Sequence, residues 1–165
     1  MRAPNLSTRL PFIQSLILTA LTVAWLSASA YADQNPRVNN QVIVDDAYVH
    51  LPLPGKSNTA GYFSITNAGT EAVVLTDIET DIAARAELHS HTHEQGVMRM
   101  RKESEVTIAA QTTLVFAPGS WHVMLFEVKP GLRTGDSLPL TLRFADGSVV
   151  SVTAQARSLF DQHHH

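Results

Sequence analysis

The chain contains no cysteine in its 165 residues. Disulfides are therefore excluded, and the fold must be held by its apolar core. A thiolate metal centre is excluded too, and with it a blue-copper electron-transfer site, which requires a cysteine ligand. Methionine is scarce, at four residues including the initiator. Basic residues number 12 against 15 acidic ones, with no basic stripe, which argues against nucleic acid as a partner. No convincing amphipathic helix and no internal repeat follow the N-terminal segment. One domain accounts for the length.

What is present begins with that segment. Arg2 and Arg9 precede an almost continuously apolar run from Pro11 to Leu26, and Ala30-Tyr31-Ala32 fits a small-residue cleavage site. Residues 1–32 therefore read as a secretory signal peptide cleaved after Ala32. The run is shorter than the ~20 residues a membrane span needs, so no stable membrane insertion is expected after cleavage. Loss of the two arginines takes the net charge from −3 to −5. Residues 33–40 are polar and read as a flexible leader.

From residue 41 onward the pattern is all-β. Val42, Val44, Ala47 and Val49 are interrupted near Asp45-Asp46, which predicts a strand with a break. Residues 59–67 and 72–80 read as strands around the turn Asn67-Ala68-Gly69-Thr70. Residues 87–93 and 97–102 read as a hairpin with Gly96 in the turn. Short strands at 106–108 and 113–116 lead to the turn Ala117-Pro118-Gly119-Ser120. In the strand 121–128, Trp121, Val123 and Leu125 face one side, and His122, Met124 and Phe126 face the other. Asp146-Gly147 joins strands 138–144 and 148–156 as a two-residue hairpin. Many short strands separated by Pro/Gly turns predict a β-sandwich or barrel over residues 41–157. Residues 158–165 form a tail ending in His163, His164 and His165.

The scarce methionines are concentrated. Met98, Met100 and Met124 all lie between residues 89 and 124, together with His89, His91, His93 and His122. Thioether and imidazole donors without thiols suit a soft ion, Cu(I), whereas calcium and magnesium prefer oxygen. A thioether cannot be oxidised to a disulfide in an exported protein. Neutral ligands also leave the charge of Cu(I) uncompensated, which fits a carrier better than a fixed redox centre. Met98 reads as packing beneath Met100, and His50, beside Pro52, as a surface residue. A zinc hydrolase built on His89, His91, His93 and His122, with Glu87 or Glu94 as base, leaves the methionines unexplained. An exported sandwich that binds only a protein partner leaves both sets unexplained.

The spacing His89, Met100, His122, Met124 is H-x10-M-x21-H-x-M. It resembles the signature of the periplasmic copper chaperone family PCuAC. GYFSITNAG at 61–69, GVMRMR at 96–101, WHVML at 121–125 and GDSLPLTL at 135–142 are similar to that family as well. The resemblance implies a single cupredoxin-like Greek-key β-sandwich that binds Cu(I) through His89, Met100, His122 and Met124, without enzymatic turnover. It implies a periplasmic location and delivery of copper to the CuA site of cytochrome c oxidase subunit II, alongside a Sco-type thiol protein. General periplasmic copper binding, storage or resistance is the alternative. His91 and His93 crowd the first ligand as auxiliary candidates. His163, His164 and His165 are candidates for Cu(II), which favours nitrogen.

Overall fold

The computed structural model describes residues 37–94 and 97–159, excluding the side chains of Arg37, His93 and Glu94. The expected signal peptide, residues 33–36 of the leader, the Gly96 turn and the terminal histidines lie outside the described residues. Among the described residues there are eleven strands: β1 Arg37–Val38, β2 Val42–His50, β3 Thr59–Asn67, β4 Val73–Glu79, β5 Arg85–Glu94 and β6 Val97–Lys102, then β7 Val106–Ile108, β8 Thr112–Phe116, β9 His122–Phe126, β10 Ser137–Phe144 and β11 Ser148–Arg157. Among the described residues there is no helix long and apolar enough to cross a membrane.

The hydrogen-bonded order is β6-β5-β9-β3-β2-β11-β10-β4-β7, with β8 on β3 and β1 on β11. Sequence neighbours are therefore often not spatial neighbours. Strand β5 pairs with β9 rather than β4, and β4 pairs with β10. This is the crossed-over connectivity of a cupredoxin-like Greek-key sandwich, as expected. Phe63, Phe116, Ile65, Leu75, Ile108, Leu125, Leu140 and Leu142 fill its interior. The leader differs from expectation at its end, because Arg37 and Val38 pair in parallel with Ser148 and Val149. Two residues are too few to show a strand period, so pairing with a distant partner left no mark in the sequence.

The break foreseen in β2 is a β-bulge. Register runs from Asp45↔Ser64 to Tyr48↔Tyr62, so two residues of β2 oppose one of β3. Asp46 takes φ 53° there, the left-handed conformation that Asp tolerates better than β-branched residues. The extra residue reverses the parity of the strand. Val42 and Val44 face the core before the bulge, and Ala47 and Val49 after it. Tyr48 and His50 are thereby turned onto the opposite face, where they join β3 and β9.

Candidate metal centre

Strands β6, β5 and β9 build the site. In β5, Leu88 and Ser90 are buried on one side, so Glu87, His89 and His91 project from the other. In β9, Val123 and Leu125 enter the core, so His122 and Met124 project from the same outer face as the β5 trio. Registers fix the neighbours. His89 lies opposite His122 and Glu87 opposite Met124 across β5–β9. His91 lies opposite Met100, and His93 opposite Met98, across β5–β6. Directly paired residues share a face, so the four expected ligands occupy one surface. Met100 and Met124 are each diagonal to His89, a separation of about 7–8 Å that long side chains span. They approach it from opposite ends of the site.

The imidazoles are close. Ring centroids are 5.6 Å apart for His89–His122 and 4.9 Å for His91–His122. His122 is the buried floor, with 3% of its surface exposed, while Met100 at 50% is open to solvent. Met98 is also half exposed, at 51%. It does not pack beneath Met100. The two project from the same face of an end strand, each half exposed, with the Met98 methyl beside Gly119. His93 keeps its strand position, but its side chain lies outside the described residues.

Hydrogen bonds decide which nitrogens remain available. His122 Nδ1–H donates to the Ser120 carbonyl at 3.1 Å, leaving Nε2 with its lone pair. His89 Nε2–H donates to Glu87 Oε2 at 3.0 Å, leaving Nδ1. That Nδ1 is buried and has no hydrogen-bond partner, and the same holds for Nδ1 of His91. Buried acceptors without partners are costly unless something else occupies them. Burial, and then the neighbouring His91 and His89, hold the His122 pKa below its ordinary 6.5, against the opposing hydrogen bond to Ser120. The ring therefore remains neutral, the form a metal needs.

Glu87 was weighed from sequence only as a hydrolytic base, and its role here is different. Its carboxylate takes the His89 N–H, Lys102 Nζ at 2.9 Å and Arg85 Nε at 2.9 Å. The His89 hydrogen bond, followed by that of Lys102, pushes its pKa down to about 2. A permanent carboxylate fixes the ring orientation and makes its other nitrogen a better donor. The signal was the Glu-x-His spacing, which puts both side chains on one face of a strand. Among the described residues, no three His, Asp or Glu side chains already converge on one point.

His50 corrects another expectation. It is buried, at 6% exposure, because the bulge turns it off the core face and into a cluster with Tyr48 and Tyr62. Its ring lies 5.3 Å from each tyrosine ring, and Tyr62 lies 6.5 Å from His122. Arg157 caps the row, 4.4 Å above Tyr48. A line of rings thus walls the inner flank of the site. The pattern was hidden because it depends on the β2 parity change and on β3 lying between β2 and β9.

The fold and this His/Met face define a cupredoxin-like sandwich of the PCuAC type. The LpqE-like lipoprotein family model matches residues 42–156, and the chain belongs to that family. A relative in Leifsonia xyli subsp. xyli, Lxx21020, is 30% identical over 142 residues, covering 86% of this chain and 84% of its own. The solution structure of Cu(I)-DR1885 from Deinococcus radiodurans is similar with a TM-score of 0.60 at 28% identity, over 79% of this chain and 85% of that one. The copper-bound PCuAC domain of PmoF2 has the same fold, with a TM-score of 0.61 at 17% identity, over 72% of this chain and 93% of that one.

Proposed function

We propose that this protein is a copper carrier that binds Cu(I) through His89, Met100, His122 and Met124 and hands it to another protein. The observation that carries this reading is the shared outer face of β6, β5 and β9, which presents two imidazoles with available nitrogens and two thioethers. The donor set suits the ion: soft sulfur and imidazole favour Cu(I). The Cu(I)-bound state of the D. radiodurans relative is consistent with it. Copper is cargo here. The buried His122 holds one side of it, and the half-exposed Met100 is where an incoming ligand replaces a thioether. A thiolate acceptor binds Cu(I) more strongly than neutral donors do, so transfer runs outward without turnover chemistry.

The natural acceptor in this reading is the CuA site of cytochrome c oxidase subunit II, with a Sco-type thiol protein as co-worker. Export to the periplasm by the N-terminal signal would bring the carrier to it. General copper storage or resistance is the second reading, favoured if Cu(I) does not move to a CuA-site protein. The site is tested by Cu(I) titration against a competing chelator. Met100→Ala and Met124→Ala should each weaken Cu(I) binding at least tenfold. Wild-type affinity in both variants would refute the ligand set.

A further inference from the structure

Three imidazoles, not two, crowd the centre of the site. His91 is not among the four ligands assigned above, yet its ring is nearer to His122 than that of His89, at 4.9 Å against 5.6 Å. Its Nδ1 is buried and lacks a hydrogen-bond partner. It lies directly across the ladder from Met100. With metal–nitrogen bonds of about 2 Å, two imidazoles on one ion have ring centroids about 4.5–5.5 Å apart. The His91–His122 separation falls inside this range and the His89–His122 separation 0.1 Å beyond it.

Building on the copper reading, we propose that His91 is a third imidazole donor that lets the same site hold Cu(II), through His89, His91 and His122. Cu(II) favours nitrogen and Cu(I) tolerates sulfur, so two donor subsets around one buried ring serve two forms of the ion. His122 belongs to both subsets through Nε2. His89 contributes the Nδ1 that its bond to Glu87 leaves open. His91 contributes its own unpartnered Nδ1. Among the described residues the three imidazoles do not already converge on one point. Rotation of the rings about χ2, a soft torsion for histidine, is the closing motion. Met100 and Met124 are not needed for the Cu(II) form. No oxidation step is invoked, since either form binds as supplied.

The test uses the full mature chain carrying His163→Ser, His164→Ser and His165→Ser, so that the tail cannot contribute nitrogen. One equivalent of a Cu(II) salt is added and examined by pulsed electron paramagnetic resonance, which counts coordinated imidazoles. Three are expected, falling to two in His91→Ala and His91→Gln, with at least a tenfold loss of Cu(II) affinity. Cu(I) affinity, read by chelator competition, should change less than threefold in the same variants. The proposal is overturned if the Cu(II) spectrum and affinity survive loss of His91. It is equally overturned if His93→Ala, rather than the His91 variants, removes the third nitrogen, or if Cu(I) and Cu(II) weaken together. These outcomes are separate from failure of the copper-carrier reading, which would appear as unchanged Cu(I) affinity in Met100→Ala and Met124→Ala.

Discussion

At the scale of single residues, the site is governed by who holds whom. Glu87 does not face the ion in this reading; it holds His89 and is itself held by Lys102 and Arg85. Replacing a carboxylate that orients a ligand imidazole ordinarily weakens metal binding about 10- to 100-fold. Glu87→Gln should therefore lower Cu(I) affinity within that range and, at neutral pH, also lower the melting temperature of the metal-free protein, because the carboxylate's bonds to His89, Lys102 and Arg85 are weakened. Chelator competition and calorimetry measure the two quantities separately. Equal affinity in the variant would show that His89 needs no support. Residue identity was also the most legible level in the sequence. Two-residue spacing put His122 with Met124 on one face without any structure. What spacing could not show was orientation: that His122 lends its Nδ1–H to Ser120, or that Met98 is half exposed beside Gly119.

At the scale of elements, the bulge in β2 governs what surrounds the site. Without its extra residue, Tyr48 and His50 would point into the core and Val49 out of it. Its conformation depends on Asp46 at φ 53°. A β-branched residue there bears the left-handed cost of about 1–2 kcal/mol, and glycine does not. Asp46→Val should be less stable than Asp46→Gly by about that amount in denaturant titrations. Similar stability in the two would mean that the turn relaxes cheaply. The sequence marked this place, since the hydrophobic period changes step at Asp45-Asp46. It did not reveal the consequence for His50, because a face is defined only once the neighbouring strand is known. The pairing of β5 with β9 was illegible for the same reason. Local patterns encode strands and faces, while strand order is decided by how the whole core closes.

At the scale of the whole molecule, acid should weaken the metal-free fold in two stages. His50 is held below its ordinary 6.5 by burial first and by Arg157 second. The unfolded chain therefore takes up this proton at a higher pH than the folded one, and stability is lost as pH falls below about 6.5. Buried His122 adds to the loss in the same window. Glu87 acts later, from its ordinary 4.5 down to about 2, as its carboxylate is protonated. Melting temperatures of the metal-free protein should thus fall between pH 7 and 5, and His50→Gln should make that decline shallower. A decline of unchanged slope in His50→Gln would exclude His50 as a contributor.

Strand β6 stands at the end of the sheet, paired on one side with β5 and, among the described residues, with no strand on the other. All six of its residues are exposed. An open strand edge bearing valine and two methionines invites a second copy to add itself in register. Natural edges are blunted by charged side chains, and Arg99, Arg101 and Lys102 place three along this one. The strand that presents Met98 and Met100 at the surface therefore also carries the basic side chains that discourage edge-to-edge pairing.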